Sequence, residues 1–165
     1  DGKLGLLVAQ VLQLTGCQVY VFGRHARKLA ILQRRGIPTL DTPAEGYGRF
    51  EVVIDCSGQS SGFDLARSLL RPRGTLVMKS TFHGTQEVPM VPFVIDEITV
   101  VGSRCGPFEP ALRLLEGRLI EVETLLDAEY PIEQGMEAFK RAVTPGTLKV
   151  QIVLLPSPAG RGNDR

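Results

Sequence analysis

Two short stretches carry residues whose types and spacing could do chemistry. The first is the opening itself, Asp1-Gly2-Lys3-Leu4-Gly5, which runs at once into an apolar stripe of Leu4, Leu7, Val8, Val11 and Leu12. The stripe has helical spacing, and Gly2 and Gly5 stand as the second and third glycines of a G-x-G-x-x-G pattern. Its first glycine would fall just before Asp1, and the strand that delivers such a loop would lie further upstream. A residue without a side chain lets main chain approach an anion closely, and the third glycine lets the helix pack on a sheet. The N–H groups at a helix start point at the anion, and the helix dipole favours it. A glycine pair of this kind is weak alone, since glycines before a helix are often only turn chemistry.

The second stretch follows a β-rich run with VYVF at its heart and reads Gly23-Arg24-His25-Ala26-Arg27-Lys28. Dinucleotide folds place an Asp or Glu here to accept hydrogen bonds from the ribose hydroxyls. No carboxylate is present. Gly23 makes room, Arg24 can pair bidentately with a ribose 2′-phosphate, and His25, Arg27 and Lys28 add positive potential. Cations oppose the dipole at a helix N-terminus, so Arg24, Arg27 and Lys28 together point to a purpose other than helix stability. The two stretches predict a pyrophosphate cradle beside a 2′-phosphate reader, which means NADP in preference to NAD.

These residues need elements to position them. The pattern predicts helices over Leu4–Leu14, Ala26–Arg35, Gly62–Leu70, Pro110–Glu116 and Ile132–Ala142. It predicts strands over Gln18–Phe22, Ile37–Leu40, Val52–Cys56, Thr75–Met78, Ile98–Val101 and Lys149–Leu155. Gly16 and Gly36 close the first two helices, and R-P-R-G closes the third. DTPAEGYGRF reads as a polar loop, and a Pro-containing stretch runs from Thr81 to Phe93. Buried apolar strands alternating with helices argue for an α/β fold with a parallel, doubly wound sheet.

The chain has 165 residues and a formal charge of +1, enough for one core and no argument for a nucleic-acid partner. No apolar run approaches membrane-spanning length, and no signal peptide is visible. Cys17, Cys56 and Cys105 have neither metal-ligand nor disulfide spacing and read as small apolar fillers. His25 and His83 are the only histidines. His25 is expected beside the adenine rather than in catalysis, and Asp55 is expected to be structural. No residue of this chain is expected to be catalytic or to bind metal.

DGKLGLLVAQVLQLTG, then GRHARKL, VVIDCSG, LLRPRGTLVMKS, EITVVGSRCG, YPIEQGMEAFKRA and LKVQIVL together resemble the medium-chain dehydrogenases/reductases, the zinc alcohol dehydrogenase superfamily. The resemblance covers residues 1 to about 155. It implies a Rossmann-type doubly wound sheet lacking its first strand, over 1–106. A C-terminal segment, 107–155, would return toward a catalytic domain outside this chain, with some of its apolar face left exposed, and 156–165 would be a disordered tail. It also implies site roles. Gly2, Lys3 and Leu4 would lie under the pyrophosphate; Arg24 would face the 2′-phosphate, with Lys28 near the ribose. Cys56, Ser57 and Gly58 would line the adenosine side; Lys79 and Ser80 would sit near the nicotinamide riboside. Ser103, Arg104 and Cys105 would offer main-chain groups to the carboxamide, and Lys149 would approach the pyrophosphate.

The activity so implied is hydride transfer between an alcohol or polyol and NADP, with a small alcohol or carbonyl substrate and zinc held by a separate N-terminal domain. A homo-oligomer and a cytoplasmic setting are expected with it. Two alternatives remain open: a zinc-free quinone or enoyl reductase of the same superfamily, and a non-catalytic nucleotide-binding module. Without a first strand, the strands at 19–22 and 52–56 should face a gap, and the chain by itself should be unstable and inactive.

Overall fold

The computed structural model describes residues 1–40, 50–81, 85 and 87–154. Residues 41–49 of the expected polar loop, His83, Leu155 and the expected tail lie outside the described residues. The elements in chain order are α1 (Lys3–Gln13), β1 (Val21–Phe22), α2 (Ala26–Gln33), β2 (Thr39–Leu40), β3 (Phe50–Asp55), α3 (Ser60–Leu69) and β4 (Leu70–Met78). Then come α4 (Met90–Ile95), β5 (Thr99–Gly102), α5 (Phe108–Glu116), β6 (Leu126–Pro131), α6 (Gly135–Ala142) and β7 (Lys149–Val153). Every strand pair is parallel: β1 with β2, β3 with β4, β4 with β5, and β6 with β7.

The doubly wound sheet is split. β1 and β2 form one piece and β3, β4 and β5 another. Between them lies a cavity of about 600 Å³, walled by Val19 to Phe22 on one side and Phe50 to Asp55 on the other. Phe50 reaches across it, its ring centroid 5.6 Å from Tyr20 and 6.0 Å from Phe22. The spatial order β2, β1, gap, β3, β4, β5 is that of an open nucleotide-binding sheet with its central strand missing. The gap accounts for one departure from expectation. The strand expected over Gln18–Phe22 has only Val21–Phe22 paired, because its inner edge meets the cavity.

Two helices cover the β1–β2 side. Leu6 and Ala9 of α1 and Ile31 and Leu32 of α2 are buried in one cluster with Ile37. Each buried leucine there is worth roughly 1.5–3 kcal/mol of transfer free energy. Gly36 ends the second helical segment with a φ of 72°, a left-handed value costly for a residue with a Cβ. A second cluster joins α3 to the other sheet through Phe63, Ala66, Leu70 and Leu76.

The C-terminal third is tied to the first helix pair. Leu125 and Leu148 complete the α1–α2 cluster. Gln10, fully buried, donates to the Glu121 carbonyl at 3.1 Å and accepts from the Glu121 N–H at 2.7 Å. Arg35 donates to the Leu119 carbonyl at 2.8 Å.

Other departures are local. R-P-R-G closes α3 but also belongs to β4, which begins at Leu70 and pairs it with Phe50. The register then shifts, Arg73 takes a φ of 63°, and its N–H donates to the Asp96 carbonyl at 2.7 Å. A short helix, α4, occupies the end of the Pro-containing stretch, and β6 is an element the pattern did not predict.

Candidate dinucleotide-binding site

α1 begins at the carboxyl end of β3. An ideal Cβ on Gly5 would lie 3.6 Å from Cys56 Cβ, an ordinary contact, so the helix packs closely but alanine would fit. Gly2 is the N-cap, with extended backbone, no side-chain cap on the helix and no acidic residue in its first turn. A Cβ on Gly2 would meet nothing within 4 Å. The first-turn N–H groups have no intrahelical acceptor by geometry. The helix start is therefore open toward the cleft, as an anion cradle requires.

The turn after β1 meets this helix start directly. Asp1 Oδ2 accepts from the N–H groups of Arg24 and His25 and pairs with His25 Nδ1, each at 2.7 Å. Gly2 and Arg24 thus share one crevice. The space expected to serve a ligand at Gly23 belongs to the protein: a Cβ there would stand 2.6 Å from Asp1 Cβ and 2.8 Å from Leu29 Cδ2. Arg24 is exposed. Lys28 is buried.

Arg27 points elsewhere. Its guanidinium donates to Asp127 Oδ1 at 2.7 Å, so its expected contribution to the phosphate site is replaced by a bond to β6. Asp127 Oδ2 accepts from the Leu148 N–H at the start of β7. That main-chain bond, with Arg27 adding, holds the Asp127 carboxyl below its ordinary value against the opposing effect of burial.

The carboxyl ends of β3, β4 and β5 form the floor of the rest of the cleft, where open α/β sheets bind ligands. Buried Asp55 accepts from the Ser57 N–H at 2.8 Å, in line with its expected structural role. Ser80 Oγ accepts from the Gly58 N–H at 2.8 Å and bonds the Asp55 carbonyl at 3.3 Å. Lys79 Nζ donates to Ser103 Oγ and the Arg104 carbonyl, both at 3.2 Å, and to the Ser103 carbonyl at 3.4 Å. The Ser103 and Arg104 carbonyls, among the main-chain groups expected near the carboxamide, thus accept from an ammonium group of the chain itself. Lys149 opens β7 as an exposed residue.

The cysteines do not share one environment. Cys17 and Cys105 are exposed, which corrects their reading as apolar fillers, and Cys56 is half-buried. Burial and the Asp55 carboxylate push the Cys56 thiol up, with Lys79 opposing in part. A thiol held protonated is a poor nucleophile. Among the described residues no group of three or more His, Cys, Asp or Glu could hold a metal ion. No described helix is long and apolar enough to cross a membrane.

Two residues the sequence reading passed over organise the site. Asp1 was legible as the sole carboxylate among residues 1–40, set directly before the glycine cradle. Asp127 carried no local signal, since its partner is Arg27, 100 residues away.

A split parallel sheet with an uncapped helix start and a cation-bearing turn at its carboxyl edge defines a dinucleotide-binding α/β domain. The chain belongs to the zinc-binding dehydrogenase family, whose model matches residues 4–117. A sorbitol dehydrogenase from Halalkalibacterium halodurans is 28% identical over 167 residues, which cover 90% of this chain and 48% of that protein. L-idonate 5-dehydrogenase from Escherichia coli superposes with a TM-score of 0.82 at 26% identity, over 92% of this chain and 47% of its own. Two structures at 22% identity bear on the fold alone: a zinc-binding dehydrogenase from Sinorhizobium meliloti bound to NADP and a short chain alcohol dehydrogenase from Escherichia coli complexed with NADH. Their TM-scores are 0.81 and 0.80, and each match covers 92% of this chain and 50% of the other. The chain spans about half the length of the relatives it matches.

Proposed function

We propose that this chain is the cofactor-binding half of an alcohol or polyol dehydrogenase that uses NADP. The observation that carries the reading is the turn after β1. Where an NAD site needs a carboxylate free for the ribose hydroxyls, this turn presents the exposed Arg24, and the nearby Asp1 carboxylate oxygen is already taken by three donors.

The residues divide the work of binding. Gly2, Lys3 and Leu4 hold the pyrophosphate at the start of α1, where main-chain N–H groups and the dipole favour it. Arg24 reads the 2′-phosphate, and Lys28 adds charge near the ribose. Cys56, Ser57 and Gly58 line the adenosine side. Lys79, Ser80, Ser103, Arg104 and Cys105 bound the nicotinamide end. NADP supplies the hydride acceptor or donor when bound, and the chain's residues orient it. Where zinc is used it would polarise the alcohol, and the residues assigned here take no part in that step. Sorbitol dehydrogenase and L-idonate 5-dehydrogenase among the relatives favour a polyol or sugar acid as substrate.

The test is a titration of the full-length protein with NADPH and NADH, followed by nicotinamide fluorescence. Tighter NADPH is expected. Arg24→Ala should weaken NADPH selectively by about 1.5–3 kcal/mol, the size of a charged hydrogen bond. Equal affinities, or a uniform loss for both cofactors, would remove the role given to Arg24.

A further inference from the structure

We infer that Asp1 is a positioning residue for cofactor selection: through its carboxylate it fixes the turn that presents Arg24. The inference rests on the NADP reading above and deepens it. The geometry has three parts.

First, one oxygen of Asp1 holds the main chain of Arg24 and His25 and the His25 ring, each at 2.7 Å. These bonds span 23 and 24 residues of sequence and join the pyrophosphate loop to the ribose turn. Second, the turn is built around that side chain. A Cβ on Gly23 would stand 2.6 Å from Asp1 Cβ, 2.8 Å from Leu29 Cδ2 and 2.9 Å from Asp1 Cγ, so Asp1 and Leu29 together leave room only for glycine. Third, a negative charge near the start of α2 is mildly favourable. The helix has no side-chain cap and no acidic residue in its first turn, while Arg27 and Lys28 lie within that turn. Asp1 supplies the missing charge from another element.

The Arg24 guanidinium is on an exposed side chain, so the orientation of its main chain decides where it can reach. That orientation hangs on Asp1. The cradle at Gly2 and the reader at Arg24 are therefore linked by one carboxylate, although they lie on different elements.

The experiment measures NADPH and NADH affinities of the full-length protein carrying Asp1→Ala, Asp1→Asn, Arg24→Ala and the double variant Asp1→Ala/Arg24→Ala, with thermal unfolding alongside. Asp1→Ala is expected to weaken NADPH about tenfold and NADH less than about threefold, the loss of one well-made charged hydrogen bond. Asp1→Asn keeps an oxygen for both N–H groups and should stay within about threefold of the parent for both cofactors. In the Arg24→Ala background, Asp1→Ala should leave the NADPH-to-NADH ratio unchanged, because its effect runs through Arg24.

Equal losses for the two cofactors in Asp1→Ala would make Asp1 a general ribose or folding residue and overturn the inference. A full additional loss of selectivity in the double variant, or loss of selectivity in a folded Asp1→Asn, would overturn it as well. Should Asp1→Ala fail to fold, Asp1→Glu carries the test: its extra methylene displaces the turn while keeping the charge. Reduced NADPH selectivity is then expected, and unchanged selectivity is fatal. If Arg24→Ala weakens both cofactors equally, the NADP reading fails. If Arg24→Ala weakens NADPH selectively and Asp1→Ala does not, only the positioning role fails.

Discussion

The helix pair α1 and α2 and the helix pair α5 and α6 carry the same kind of amphipathic pattern and meet different fates. On the first pair, Leu6 and Leu32 are fully buried, and Leu125 and Leu148 arrive from the far end of the chain to close the layer. On the second, Phe108 is 76% exposed, Met136 72% and Phe139 65%. The difference lies in what covers each face. An apolar stripe states that a face has to be buried; it does not say what buries it. The same contrast holds within the sheet. β4 has a partner on both edges, while β1 and β3 turn edges toward the cavity.

The largest expected effect breaks the comparison outright. If uncovered faces and open strand edges set the stability, the 165-residue chain alone should lack a cooperative melting transition. Nearly the whole of a domain's ordinary ~5–15 kcal/mol would then be missing. Differential scanning calorimetry with near-UV circular dichroism checks this. A sharp two-state transition would show that the two covered clusters suffice.

The next effect tests the covered side. Leu32→Ala removes a fully buried side chain where α2 meets the C-terminal third. In the full-length protein it should cost about 2–5 kcal/mol, read from denaturant midpoints. A cost below about 1 kcal/mol would mean that the layer is not the packed one described.

Asp127 sharpens the comparison because it ties that layer to β6 and β7. Asp127→Ala should cost roughly 1–3 kcal/mol, since it leaves Arg27 and the Leu148 N–H without their acceptor. The sign with pH follows from the lowered carboxyl. The folded state binds this proton less readily than the unfolded chain, whose carboxyl titrates near 3.8. The contribution is full above that value and is lost as pH falls below it toward the depressed folded value. Urea midpoints from pH 6 downward should therefore fall less steeply in Asp127→Asn than in the parent, and identical slopes would contradict the assignment.

What could be read in advance follows the range of the interactions. Helix α1, the closing glycines Gly16 and Gly36, and the core strands of the second sheet piece depend on local pattern and were legible as such. So was the turn at Arg24, where residue type alone argues for a phosphate. Long-range partnerships were not. Arg27 looked like a phosphate ligand because nothing nearby says that a carboxylate 100 residues on will take it. Leu126–Pro131 reads LDAEYP, with neither a strict alternation nor an apolar run, and becomes a strand through its pairing with β7. Gln18 to Tyr20 read as strand, yet β propensity alone leaves no ladder where the neighbouring edge is a cavity.

The smallest effect belongs to the uncovered side. Phe139 is a large apolar residue on α6 whose ring is mostly in water, so Phe139→Ser in the 165-residue chain removes little packing. Secondary structure by far-UV circular dichroism should be unchanged. Self-association should nonetheless fall, because one anchor of an exposed apolar face is gone. Sedimentation velocity over a concentration series reads this directly. A loss of helicity instead would mean that α6 is held by its own apolar face, and that the contrast between the two helix pairs has been drawn in the wrong place.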